Sequence, residues 1–246
     1  MPEDDWPALM PGLDDEGPSD HTSGRAQAAA IFDDVGKESV PLRSLFTGAE
    51  LPAGVRTAAG DALGAVGDVR RQVHQTVARL DALATSDLIP REGRQRVTRE
   101  TKAVAAAALR ELGSRSEGAI TIIETGLTAA AQPQFPAGAD REEARQELRM
   151  LLDAAPDPAE AVRAIAAGSD QRLAGLAVSS YAASYLRAKG VDERTIRQVA
   201  VFAAQAGLSS DNPARQAAAR ALTRLDDLRK LRLKALHAAS FAIEWD

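Results

Sequence analysis

The chain contains no cysteine, only three histidines spaced far apart, and 4% aromatic residues. The first absence excludes disulfides and every thiolate-bound metal or cluster, and it fits a reducing compartment. His21, His74 and His237 have no carboxylate or second histidine at helical ligand spacing, so they suggest no metal site. Long apolar runs are also missing. The most apolar window, Leu51 to Val69, still carries Arg56, Asp61 and Asp68, which cost too much at membrane depth for a spanning helix. The opening MPEDDWPALMPG has neither a positive n-region nor an apolar h-region and does not read as a signal peptide. The expectation is a cytoplasmic protein, in a bacterial host cytoplasm or a virion, with no membrane contact.

Known catalytic arrangements are absent as well. Gly36-Lys37 falls where a phosphate loop would end, but Ile31 replaces its first glycine and Glu38 its magnesium-binding Ser or Thr. No Gly-x-Ser-x-Gly elbow occurs. The acidic pairs Asp14-Asp15, Asp33-Asp34, Glu142-Glu143 and Asp226-Asp227 are sequence neighbours whose side chains diverge on a helix, so they cannot share a proton or a metal. Neither a cofactor nor an enzymatic activity is expected.

Alanine is abundant, at about one residue in five, which makes helix propensity high throughout. Charge is distributed unevenly. Residues 1–50 hold eleven acids against Arg25, Lys37 and Arg43, a net of −8 that leaves +3 on the remainder of a chain at −5 overall. Met1 to Gly24 combines four prolines, three glycines and seven acids, too little apolar surface to offset the entropy of ordering. Residues 1–50 therefore read as an acidic, largely disordered arm, with a short helix from Arg25 to Val35 broken by Gly36 and Pro41. Trp6, Leu9, Met10 and Leu13 interrupt the acidity. Two readings stand: a partner-binding segment that folds on docking, or a solubilising leader.

From Pro52 the apolar positions recur at gaps of mainly four and three, which predicts a heptad-like seam to about Thr85 containing Val55, Val66, Val69, Val73, Leu80 and Leu83. Gly60, Gly64 and Gly67 lie on the same helix; a composition-driven origin is favoured over a close helix contact. After a turn at SDLIPREGR, with Ser86 or Asp87 as cap and Pro90 in the first helical position, Val97, Thr101, Val104, Ala108 and Leu112 repeat the spacing. Residues 51–131 thus predict a long antiparallel helical hairpin. Residues 118–131 fit either helix or buried strand, with helix favoured because a lone strand has no partner.

AQPQFPAGA marks the boundary, and residues 139–246 predict a C-terminal α-helical bundle. Asp140 with Glu143, Asp157-Pro158, Ser169 or Asp170, Asp192, and Asn212-Pro213 start successive helices; Gly168, Gly190 and Gly207 end three of them. The third is read as running to Gly190 and the last from Pro213 to about Ile243. Val178, Tyr181, Tyr185 and Phe202 are assigned to a small core. The fold class is all-α, a coiled-coil-like hairpin plus a bundle of short helices and one long helix.

Two basic clusters, Arg91, Arg94, Arg96, Arg99 and Lys102, and Arg229, Lys230, Arg232 and Lys234, are interspersed with acids and carry no interleaved aromatic for base stacking. A solvated face, or a dock for an acidic partner or for the chain's own tail, is the favoured reading. The layout of acidic arm, helical hairpin and alanine-rich C-terminal region ending in a basic helix resembles virion assembly or structural proteins of tailed phages from high-GC hosts. That resemblance implies a non-enzymatic, homo-oligomeric protein or scaffold-like adaptor acting through protein contacts. Trp6, Leu9, Met10, Leu13, Arg229, Lys230, Arg232 and Lys234 are its candidate partner-binding residues. The competing reading is a nucleic-acid-associated protein using the basic helix faces.

Overall fold

The computed structural model describes residues 21–244. Trp6, Leu9, Met10, Leu13 and Trp245, and the reading of residues 1–20 as a disordered leader, lie outside the described residues. Ten α-helices and one 3₁₀ turn build the fold, and no strand occurs among the described residues. No helix among them is long and apolar enough to cross a membrane.

Helix α1, His21–Phe46, occupies half of the segment expected to be an arm. It runs through Gly36 and Pro41, where a break was expected, because Ala28, Phe32, Val35, Leu42 and Phe46 form one buried stripe at helical spacing. Burial of that stripe outweighs the hydrogen bond lost at proline. Helix α2, Ala53–Ala84, buries Val55, Val66, Val69, Val73 and Leu80, with Leu83 half-buried at the tip. Pro90 flanks α3, Arg91–Ala131, rather than entering its first turn, and no side chain caps that helix. Residues 118–131 are helical within α3, since Ile120, Ile123, Leu127 and Ala131 recur on one buried face. The seam expected on α3 is rotated. Val104 is 67% exposed and Ala105 is buried in its place, four residues after Thr101.

Interhelical pairs set the directions. Arg25 bonds Asp81 at 2.7 Å and Arg70 bonds Asp33 at 2.9 Å, so α1 and α2 are antiparallel. Helix α10, Leu225–Glu244, runs antiparallel to α3, with Arg229 on Glu124 at 2.7 Å and Leu236 beside Gly113. Helices α1, α2, α3 and α10 therefore form an up-down-up-down bundle around one apolar core. A Cβ on Gly126 would meet Val55 Cγ2 at 2.5 Å, which marks a close approach of α2 and α3. Gly60, Gly64 and Gly67 have nothing within 4 Å of that position and support no helix contact.

A second core lies between α3 and α9, Pro213–Thr223, in the chain. It is built from α4, Arg141–Ala154; α5, Pro158–Ala167; α6, Gln171–Ala177; α7, Ser180–Ala188; and α8, Glu193–Gln205. The side chains of Asp140, Asp157, Asp170, Asp192 and Asn212 accept hydrogen bonds from first-turn amides. Gly190, at φ 81°, closes α7 in the left-handed region that glycine enters freely. Two expected single helices are broken. Ser179 Oγ donates to the Leu176 carbonyl at 2.6 Å and ends α6, and Arg224 leaves helical geometry between α9 and α10. Helices α9 and α10 pack with α1–α3, so one bundle over residues 139–246 does not describe the packing: α10 completes the first core, and α4–α8 form the second.

The junction is polar and tight. Arg215 of α9 donates to the Ala131 carbonyl at 2.8 Å and the Ala203 carbonyl at 3.3 Å, tying the C-terminal ends of α3 and α8. A cation there complements the negative end of each helix dipole. Gln132 adds a bond to the Ala200 carbonyl at 3.4 Å. Gly207, in the 3₁₀ turn Ala206–Ser209, leaves room for the Ala131 carbonyl, which a Cβ would meet at 2.8 Å.

One buried hydroxyl is unsatisfied. Thr76 donates to the Gln72 carbonyl at 2.8 Å, whereas Thr101 Oγ1 has no hydrogen-bond partner among the described residues. Thr101→Val is expected to stabilise the fold by about 1 kcal/mol, raising the melting temperature by roughly 2–4 °C. Thr76→Val should show no such gain in the same calorimetric scan.

Candidate functional site

The cationic candidates on α10 are already engaged within the chain. Arg229 bonds Glu124 of α3 and, at 3.0 Å, Asp226; Arg232 pairs with Glu117 and keeps only 17% of its side chain exposed. Lys234 bonds Glu38 of α1 at 2.9 Å, and this bond holds its ammonium above the ordinary lysine value. Lys230 alone of the four is exposed without a salt bridge among the described residues. These charges close the bundle and leave little for a phosphate backbone. In the α3 cluster, Arg94 caps the α2–α3 turn through the Ser86 carbonyl at 3.1 Å, and Arg96 lies 3.8 Å from Glu100.

Helices α4 and α7 bring Asp153, Tyr185 and Lys189 together at the surface. The Tyr185 hydroxyl donates to Asp153 at 2.5 Å and the Lys189 ammonium donates to the same oxygen at 2.9 Å. The Tyr185 bond, then that of Lys189, holds the Asp153 carboxyl below the usual carboxylate range. Desolvation and the Asp153 carboxylate push the tyrosine up, away from the phenolate a base would need. The trio ties two helices. Among the described residues, no group of three or more His, Asp or Glu could hold a metal ion.

The concave feature with an unpartnered surface lies between α5 and α8. Ile196, Val199, Ala203 and Ala204 turn the inner face of α8 toward the cores. That register fixes the opposite face. Arg194, Gln198, Val201 and Gln205 form its outer stripe, flanked by Arg197 and Phe202, and α5 supplies Glu160 and Arg163 as the facing wall. The groove is shallow and widely open to solvent, with a volume of about 780 Å³. Val201 is 49% and Phe202 44% exposed, so the expectation that Phe202 anchors the small core is corrected: Ala203 takes the inward position. Val178, Tyr181 and Tyr185 pack half-buried against that core.

The polar wall is mostly cationic. Arg163 bonds Glu160 at 3.0 Å, Arg197 donates to the Glu193 carbonyl at 3.2 Å, and neither Arg194 nor Arg197 has a salt bridge among the described residues. Two guanidinium groups without a salt bridge, Arg197 held only by the Glu193 carbonyl, stand beside an exposed phenyl ring and suit a ligand that is both acidic and apolar. A smaller groove of about 350 Å³ between α2 and α3 is lined by Asp68, Arg71, Glu111 and Arg115, whose mixed signs favour no ligand charge. Sequence reading missed the α5–α8 groove. Its signal was the gap pattern of α8, which places Arg194, Val201 and Phe202 off the inner face.

No protein-family model, curated protein or solved structure matches the chain.

Proposed function

We propose that this chain is a non-enzymatic, self-associating helical protein that works through protein contacts, as a component or scaffold of particles such as those of the tailed phages its layout resembles. The observation that carries the reading is the α5–α8 groove, where Val201 and Phe202 stand exposed beside Arg194 and Arg197. An aromatic ring beside arginines is the residue combination that contact surfaces favour. The alternative, nucleic-acid association through the basic helix faces, is disfavoured by the carboxylates that already engage Arg229, Arg232 and Lys234.

Sedimentation velocity over a concentration series tests the proposal, together with retention on double-stranded DNA at low and high salt. Concentration-dependent multimers with no salt-sensitive retention are expected. A chain that stays monomeric throughout and binds DNA with a steep salt dependence would establish the alternative.

A further inference from the structure

The groove asks for an acidic, apolar ligand, and the chain contains one outside the described residues. Residues 1–20 carry seven acids and no base, with Trp6, Leu9, Met10 and Leu13 among them. The groove offers Arg163, Arg194 and Arg197 against a single acid, Glu160, around Val201 and Phe202. Charge and apolar character are complementary on both counts.

Geometry decides which copy supplies the segment. The first helix is pinned at its start to the far tip of the hairpin, where Arg25 meets Asp81. The groove belongs to the opposite end, since Val55 lies against Gly126 near the base of α3, and Gln132 just beyond bonds Ala200 of α8. Residues 55 to 81 of α2 therefore separate the two by roughly 40 Å at 1.5 Å per residue. Leu13 is eight residues from the start of α1, a reach of at most about 29 Å fully extended. The chain's own Leu13 therefore cannot enter its own groove, whereas Trp6, Leu9 and Met10, further from α1, have the length to reach it, so seating all four apolar residues in one groove takes the segment of a second copy.

Building on the proposed self-association, we infer that residues 1–20 of one copy dock in the α5–α8 groove of a second copy. The apolar side chains of the segment lie on Val201 and Phe202, and its carboxylates meet Arg163, Arg194 and Arg197. The start of α1, from which the segment leaves, and the groove lie at opposite ends of the molecule, so the contact is head-to-tail. Each copy in a row keeps one free groove and one free segment, and growth continues until the row closes or is capped.

Two full-length variants test this by sedimentation velocity. One, Arg194→Glu with Phe202→Ser, keeps the segment and loses the groove; the other, Trp6→Ser with Leu9→Ser and Leu13→Ser, keeps the groove and loses the segment. Each alone is expected to self-associate at least tenfold more weakly than the parent chain. An equimolar mixture should form a 1:1 dimer and nothing larger, because a single intact segment meets a single intact groove. Added salt should weaken the dimer as the ion pairs are screened. Circular dichroism checks the helical fold of both, and the single change Arg194→Glu, at an exposed position, carries the test if the double variant misfolds. Multimers that form equally well in both variants overturn the inference and leave the proposed self-association standing. A parent chain that is monomeric at every concentration overturns both.

Discussion

Val73→Asp is expected to unfold the bundle, or to leave it molten, at temperatures where the parent chain is fully folded. Val73 lies on the buried face of α2 within the first core, and no cation is part of that apolar cluster. Burying an unpaired carboxylate there costs several kcal/mol, a large part of the roughly 5–15 kcal/mol by which a domain is stable. The neighbouring Gln72→Asp, on the groove rim beside Arg71, should change stability by less than about 0.5 kcal/mol. Thermal melts followed by far-UV circular dichroism distinguish the two. Equal melting temperatures for both variants would mean that the seam is not a packing surface.

The second large effect is expected at Gly175, where the linker from α3 crosses α6. A Cβ at that position would meet the Phe135 backbone nitrogen at 2.5 Å and its Cα at 2.7 Å. No rotamer change relieves a clash with main chain, so the linker must lift away, taking with it the stacking of Arg141 over the Phe135 ring at 5.0 Å. Gly175→Ala should cost about 3 kcal/mol or more, at the upper end of overpacking effects. Gly64→Ala is the opposite case. It sits in the middle of α2 with nothing within 4 Å of an added methyl, and it should gain roughly 0.5–1 kcal/mol from helix propensity and reduced unfolded-state entropy. Hydrogen exchange should place the loss at Gly175 in α4–α8 and leave α1–α3 protected; uniform loss of protection would show that the two cores do not open separately.

Helix starts beyond residue 139 could be read from the sequence because each is a local event. An Asp or Asn side chain and the first-turn amides it caps are two or three residues apart, as at Asp157 and Asn212. The seam of α2 could be read for the same reason, since its period lies within one helix. What escaped depends on partners distant in sequence. Pro41 reads as a stop unless Leu42 and Phe46 are known to be buried, and Val104 reads as inward until the α2–α3 rotation buries Ala105. Periodicity identifies the inner face of α10 but cannot say that α1 and α3 cover it. The candidate site shows the same limit. Arg229, Arg232 and Lys234 look available in a one-dimensional pattern, yet their carboxylate partners lie 105, 115 and 196 residues away.

The bond from Arg215 to the Ala131 carbonyl also bears on the order in which the chain acquires its shape. The second core is made from residues contiguous in sequence, while the first must bring α10 back to α1 and α3 across everything between them. Local contacts are expected to form soonest, so α4–α8 can assemble without waiting for α10 to return. Once assembled, they hold together two positions that are 84 residues apart along the backbone. Closing a free loop of that length costs about 4 kcal/mol by the (3/2)RT ln n relation, and the returning helix is relieved of most of that cost. The half that carries the α5–α8 groove is thus expected to shorten the loop that α10 must close when it returns to α1 and α3.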